Sequence, residues 1–330
     1  MKKKRIAFVA PVWEWWPTTL YRDLVESLSE QYHEYEYFFI SSARQWVLLH
    51  FENKKFDIII SSIPFFWKPP HCVYIIHQHG LYRADRWFTS IPKLLSWLYP
   101  YNILFSKIVL YPSEFLKKYY SSNHKDQRVI YNFSPFPIVT NNDFNLSNKK
   151  EIILSTVTGF TFYDKARWML DIFEKLEYIH RDKKITYYLC WDGKYLSLIQ
   201  EQLKNYKIPE NIKITFLWRL DKKELVDLLE KTDIFLYSTF QDTFGISIIE
   251  AMSFWIPVIL NDYELFYELY DEEFIVDTTT NFIEKITQLI NERDYYEEYQ
   301  IRCEKNLKKF NKDKIINQRK KIIESQSNLI

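Results

Sequence analysis

The chain alternates between short continuous apolar runs and longer amphipathic stretches, and it does so twice. In the first half the apolar runs are Arg5–Val12, Tyr35–Ile40, Asp57–Ile63, Cys72–His77, Lys107–Tyr111 and Arg128–Asn132. Runs without polar alternation predict strands covered on both faces, as in a parallel sheet. Between them, Leu20, Leu24 and Leu28 recur at one-turn spacing behind Thr18 or Thr19 as a cap. Further helices are predicted at Ser42–Glu52, at Trp87–Tyr99 with Pro92 interrupting it, and after Ser113-Glu114. Thr140–Lys150 is almost devoid of apolar residues and reads as a linker. The pattern then restarts, with strands at Ile152–Val157, Lys184–Trp191 and Ile212–Leu217 and helices at Asp164–His180, Tyr195–Tyr206 and Lys222–Lys231. A charged helical tail covers Asp294–Ser325. This predicts an α/β protein of two doubly wound domains, residues 1–140 and 151–330, joined by a linker at 141–150, with the tail counted in the second domain. A ligand would lie at the carboxyl ends of the strands, in a cleft between the domains.

One stretch, Tyr237–Leu260, concentrates the candidate chemistry. An apolar strand ends at Tyr237, a polar loop carries Gln241, Asp242 and Thr243, and Phe244-Gly245 opens a helix containing Ile246, Ser247 and Glu250. A strand-to-helix turn presents backbone N–H groups and the positive end of the helix dipole, which suits a phosphate. Asp242 and Glu250 bracket that end with carboxylates.

Glycine usage points to the same edge. Average composition predicts roughly 23 glycines in a chain of this length, and there are four: Gly80, Gly159, Gly193 and Gly245. Each follows a predicted strand, where a loop begins and a Cβ is least welcome. Lys165 falls at the start of the helix after the first strand of the second half. A cation there opposes the helix dipole by about 0.3–1 kcal/mol, a placement that becomes useful if an anion binds at the same end. His77 and His79 close the first-half strand IIHQHG, and a neutral imidazole there can hydrogen-bond a sugar hydroxyl.

Composition mainly excludes. Cys72, Cys190 and Cys303 are far apart and make no zinc or disulfide pattern, which suits a reducing, cytoplasmic setting. No Asp-x-Asp, Walker loop or GxGxxG occurs, so metal-bridged diphosphate chemistry is not expected. The start MKKKRIAFVAPVWEWW has a charged, signal-like beginning, but its apolar run is too short and reads as a strand. No run reaches a membrane span. Net charge is +1, divided as +7 over residues 1–150 and −6 over 151–330. The basic half, with aromatics around Ile91–Phe105, raises peripheral contact with a membrane as an expectation. Nucleic acid is not an expected partner.

Together these motifs resemble the retaining glycosyltransferases of family 4, whose GT-B fold pairs two facing Rossmann-like domains. DTFGISIIEAM is similar to that family's acidic-x7-Glu signature, and Gly159 with Lys165 matches its strand-end phosphate motif. WDG, with Gly193, resembles its Gly-x-Gly turn, RVIYN its strand ending at Asn132, and HG its first-domain histidine, here His79. The resemblance implies that His79, Lys165 and Asp242 act on the donor sugar and its diphosphate. It implies that Gly159, Gly193, Thr243, Phe244, Gly245, Ile246 and Ser247 line the donor site and that Glu250 holds the ribose. The sequence departs from the pattern at Asp242, where glutamate is usual, at Phe160 for an arginine, and at Trp255 for a small residue. The loop WEWWPTT replaces a glycine-rich one, and Arg167 or Arg219 could stand in for the missing arginine. The implied function is a retaining, metal-independent transferase, with no cofactor beyond a UDP- or GDP-sugar co-substrate and an unidentified glycan, lipid or protein acceptor. The alternatives are a nucleotide-sugar-binding protein without transfer, prompted by Phe160 and Trp255, and a nucleotide-sugar isomerase on the same fold.

Overall fold

The computed structural model describes residues 3–10, 16–52, 55–69, 71–79, 90–120, 122–139, 146–159, 163–179, 182–190, 193 and 195–328. The chain divides into two compact units, Met1–Pro135 with Phe310–Ile330, and Phe136–Lys309. Among the described residues each unit is built on one parallel six-stranded sheet.

In the first unit the strands are β1 (Lys4–Val9), β2 (Tyr35–Ile40), β3 (Ile58–Ser61), β4 (Val73–His77), β5 (Ile108–Tyr111) and β6 (Gln127–Val129), in the order β2-β1-β3-β4-β5-β6. Period-two alternation sorts their side chains onto two faces. Ile6, Phe8, Ile58, Ile60, Ile75, Ile108 and Leu110 pack against α1 (Trp16–Gln31) and the last helix, α12 (Lys312–Ser327). Ala7, Val9, Ile59, Tyr74, Ile76, Val109 and Tyr111 pack on the other face with α2 (Ala43–Glu52), α3 (Ser90–Phe105) and α4 (Glu114–Tyr120). The helix expected around Trp87–Tyr99 extends to Phe105. Pro92 sits in its first turn, where a missing N–H is tolerated, and the proline inside the helix is Pro100.

In the second unit the strands are β7 (Glu151–Val157), β8 (Lys184–Cys190), β9 (Ile212–Leu217), β10 (Ile234–Tyr237), β11 (Val258–Asn261) and β12 (Ile275–Val276), in the order β12-β11-β10-β7-β8-β9. The chain runs outward from β7 to β9, returns to pair β10 with β7, and runs outward again to β12. The carboxyl ends of β7 and β10 are therefore the point where strand order reverses, the place where such sheets open a crevice. The helices after them are α5 (Tyr163–Lys175) and α8 (Ile246–Ser253).

The tail corrects the expected boundary. Phe310–Ile330 belongs to the first unit, not to a second domain running to residue 330. Ile315, Ile316, Ile322 and Ile323 of α12 are buried in the first unit's core. Lys320 pairs with Glu34 at 3.1 Å and lies over the Tyr32 ring, tying α12 to the end of α1. The tail was expected as a charged helix of the second domain, but its isoleucines complete the cover of the first unit's sheet.

Both units repeat one device at the amino edge of the sheet. Asp57 precedes β3, and its carboxylate accepts from the Arg5 amide at 2.7 Å. Asp233 precedes β10, accepts from the Ile153 amide at 2.8 Å and pairs with Lys149. Burial raises the Asp233 pKa, with Lys149 and the Ile153 amide acting against it. An Asn at 233 keeps the acceptor for Ile153, whereas Ala leaves a buried N–H unsatisfied. Asp233→Ala is therefore expected to lower unfolding free energy by about 2–3 kcal/mol and Asp233→Asn by less, measured by urea titration.

Candidate active site at the strand crossover of the second unit

Lys165, on the first turn of α5, is 7% exposed. Its Nζ donates to Thr158 Oγ1 at 3.0 Å and to the Tyr237 hydroxyl at 3.2 Å, and lies 3.5 Å from Asp242 Oδ2. The Tyr237 hydroxyl in turn donates to Asp242 Oδ2. Thr158 follows β7 and Tyr237 ends β10, so the two strands that flank the reversal each supply a group that holds the ammonium. An exposed lysine with a free stem is thereby excluded; Lys165 is a buried cation fixed at the carboxyl edge.

Asp242 closes the same centre from the loop side. Its Oδ1 accepts from the amides of Thr243, Phe244 and Gly245 at 2.7, 3.2 and 3.2 Å. Burial pushes this carboxyl up, but the Lys165 charge, the Tyr237 hydroxyl and the Phe244 and Thr243 amides outweigh it, and the pKa falls below the ordinary aspartate value. The amides of three residues expected to line the donor site, Thr243, Phe244 and Gly245, are thus engaged by the protein's own carboxylate. The next two, of Ile246 and Ser247, begin α8, where helix geometry supplies no intrahelical acceptor.

The loop is held from behind by groups that carried no motif. The Asn261 carboxamide at the end of β11 accepts from the Thr239 amide at 2.9 Å and donates to the Thr239 carbonyl at 3.1 Å. The Tyr263 hydroxyl donates to the Asp242 carbonyl at 3.1 Å, and that of Tyr270 to the Phe244 and Gly245 carbonyls at 3.1 and 3.2 Å. Gly245 has φ +71°, and a Cβ there would fall 2.7 Å from Ile248 Cδ1. Of α8, Ile248, Ile249, Ala251, Met252 and Ser253 are buried, which leaves Ile246, Ser247 and Glu250 on the accessible side. Gly159 follows β7, and Gly193 follows β8 with φ +140°. The carboxyl edge of unit two therefore collects Gly159, Lys165, Gly193 and residues 242–250.

The departures separate by place. Trp255 lies beyond the carboxyl end of α8, about 12 Å along the helix axis from Gly245, so its bulk is not beside Asp242. It has φ +60° in the left-handed position that glycine usually takes after a helix, where Ile256 N–H reaches the Ala251 carbonyl. Arg167 is exposed on α5, and Arg219 is exposed after β9, two strands from β7. Neither takes part in the hydrogen bonds that hold Lys165. Phe160, Gly80, the WEWW of the first loop (residues 13–16, save the backbone of Trp16) and the Trp191-Asp192 of WDG lie outside the described residues.

His77 and His79 belong to the first unit, their rings 3.6 Å apart and both buried. His77 Nδ1 lies 3.0 Å from the Tyr21 hydroxyl and 3.3 Å from Arg319 Nη1 on α12. A guanidinium can only donate, so Nδ1 is the acceptor and the proton of the neutral ring is on Nε2. Burial, then neighbouring positive charge, pushes both imidazoles well below the ordinary histidine value. Burial pushes Arg319 down to about 10. Its Nε and Nη2, and both polar atoms of the buried Asn132 side chain, make no hydrogen bond among the described residues. Sequence reasoning missed Arg319, because its partners stand 242 and 298 positions away. Among the described residues, no three His, Cys, Asp or Glu side chains gather as a metal site.

Two Rossmann-like units, one with a buried cation and a helix end at its crossover, define the GT-B class of fold. A family model described as "Glycosyl transferases group 1" matches residues 140–310, just over half of the chain, and the chain belongs to that family. No curated protein matches it in sequence. The Anabaena protein Alr3699/HepE, solved with UDP and glucose, is similar with a TM-score of 0.72 at 13% identity, over 98% of this chain and 100% of that one. The lipopolysaccharide outer core galactosyltransferase WaaB, in its apo form, gives 0.66 at 14% identity over 98% and 99%. A glycosyltransferase from Rickettsia africae ESF-5 gives 0.63 at 14% over 99% of each chain. At these identities the likeness is one of fold.

Two measurements follow from the loop. Gly245→Ala forces a side chain into the left-handed region and onto Ile248, and is expected to cost about 1–3 kcal/mol in thermal or urea unfolding. Asp242 has a folded pKa below its unfolded value. Its charge therefore stabilises the fold above the unfolded pKa, and that contribution is lost as pH falls through the depressed folded one. In Asp242→Asn this part of the acid dependence should be missing when unfolding at pH 6 and pH 3 is compared.

Proposed function

We propose that the protein moves a sugar from a nucleotide-sugar donor, a UDP-sugar first among the candidates, to an acceptor hydroxyl, with retention of configuration and without a metal. The observation that carries the reading is the buried Lys165 ammonium beside the α8 N-terminus at the strand crossover. The Anabaena protein supports the donor class, since it has been solved with UDP, with UDP-glucose, and with UDP and glucose.

In this reading the bond between the anomeric carbon and the diphosphate breaks with its electron pair leaving on the diphosphate. Lys165 and the amides of Ile246 and Ser247 meet that charge, in the manner of a preorganised oxyanion site. The acceptor oxygen bonds to the anomeric carbon on the face the diphosphate leaves, and its proton passes to a departing phosphate oxygen. Glu250, half-buried on the same side of α8 as Ser247, accepts from the ribose hydroxyls. Asp242 holds Lys165 and the loop in register. The family resemblance gives His79 the orientation of the donor sugar, and its neutral imidazole suits a hydrogen bond to a hydroxyl.

A second reading, donor binding without transfer, draws on the same carboxylate. Asp242 is committed to its own loop, so it competes with a diphosphate for Lys165. Turnover separates the two. Lys165→Ala is expected to lower transfer or donor hydrolysis by about 10²–10³-fold, assayed at a temperature where circular dichroism shows the less stable variant still folded. Glu250→Ala is expected to weaken nucleotide binding by about tenfold. NMR of the product should show the donor's anomeric configuration. A panel of UDP-, GDP- and ADP-sugars that bind but are neither hydrolysed nor transferred would leave only the binding reading.

A further inference from the structure

The helix α2, ARQWVLLHFE, is apolar on both sides. Its inner side places Trp46 and Leu49 in the first unit's core, with the buried His50 behind Phe65 and Phe66. Its outer side exposes Val47, Leu48 and Phe51, the last 71% accessible. Large apolar side chains gathered on the outer side of a helix mark an interaction surface rather than a solvated one.

The loop after β3 extends this outer surface. Phe66 and Trp67 are 47% and 46% exposed, and Trp67 meets Phe51 edge to face at 5.7 Å. Phe66 contacts Trp46 at 5.2 Å. The loop is not loose: the Asn102 side chain of α3 accepts from the Phe65 amide at 2.7 Å and donates to its carbonyl at 2.8 Å. The aromatics are thus held outward by a buried hydrogen-bonded clamp. On the same face of the sheet, α3 exposes Tyr101 and Leu104.

Charge narrows what can cover this surface. Arg44, Lys55 and Lys68 are exposed around it. With α12 counted where it packs, the first unit holds 22 Lys and Arg against 13 Asp and Glu, a net of +9, and the second unit is left at −8. Aromatic side chains within a basic rim fit the boundary between anionic headgroups and acyl chains, where rings insert and cations meet phosphates. Among the described residues no helix is long and apolar enough to cross a membrane.

We propose that the outer face of α2 with the Phe66-Trp67 loop docks the protein on an anionic bilayer surface, with Phe51, Phe66 and Trp67 inserted and Arg44, Lys55 and Lys68 against the headgroups. This is a different surface from the Ile91–Phe105 region raised by composition, and it is independent of the reading of the donor site.

The test is co-sedimentation of the intact chain with phosphatidylcholine vesicles, alone or with one-third phosphatidylglycerol. Binding is expected to the anionic vesicles and to weaken with salt. Phe51→Ser with Trp67→Ser, both at exposed positions, should retain the circular dichroism of the parent and lose at least tenfold in partitioning. Arg44→Gln with Lys68→Gln should lose about tenfold or more. Equal, weak sedimentation with both vesicle types would overturn the proposal, as would an aromatic double variant that binds like the parent. A dimer in solution that this variant converts to monomer would assign the face to a second copy of the chain and overturn it as well.

Discussion

The second unit depends on a buried ammonium that is never far from a carboxylate. Lys165 is 7% exposed, and three oxygens surround its ammonium: those of Thr158, Tyr237 and Asp242. Each is on a separate segment, so the two strands at the crossover and the loop before α8 are fixed relative to one another by one cation. The tyrosine matters beyond its bulk. It donates to Asp242 while accepting from Lys165, which lets a carboxylate and an ammonium share a small volume without direct contact shorter than 3.5 Å. Under the proposed function a diphosphate would meet a cation already in place, and would displace attraction to Asp242 rather than order a free side chain.

The sheets were legible because their central strands, such as β3, β5, β10 and β11, are buried along their whole length and read as apolar runs. β2 occupies Tyr35–Ile40 as expected, and the runs of the second half became β7, β8 and β9 with shifts of at most one residue at either end. Lys165 and Asp242 were legible as unusual charges at the ends of elements. What joins them was not. Tyr237, Asn261, Tyr263 and Tyr270 act through hydroxyl and amide groups, and in a chain with 25 tyrosines nothing marks these three. The tail was misplaced for a related reason. Charge density describes the side of α12 that faces water, whereas its partner is decided by four isoleucines whose complement lies near residue 20.

The first unit shows a contrasting solution to burying a cation. Arg319 is 2% exposed, with a tyrosine and two imidazoles as neighbours and no carboxylate within salt-bridge distance among the described residues. Burial, and after it the neighbouring positive charge, disfavours protonation of His77 and His79. The guanidinium also fixes which nitrogen of His77 bears the proton. Through that contact α12 reaches a strand end whose histidine lies 242 residues earlier.

Asp242 stands where the resembled pattern has glutamate, and the structure gives that exchange a physical consequence. A carboxylate on a single methylene reaches the amides one to three residues ahead of it, as aspartate does in turns and glutamate does poorly. Asp242 uses Oδ1 in this way on Thr243, Phe244 and Gly245, and Oδ2 on Tyr237 and Lys165. Both oxygens are engaged within the loop. A glutamate would carry its carboxylate one bond further and leave those amides to other acceptors. The shorter acid thus ties both carboxylate oxygens into the loop, and the side chains of α8 left on its accessible side are Ile246, Ser247 and Glu250.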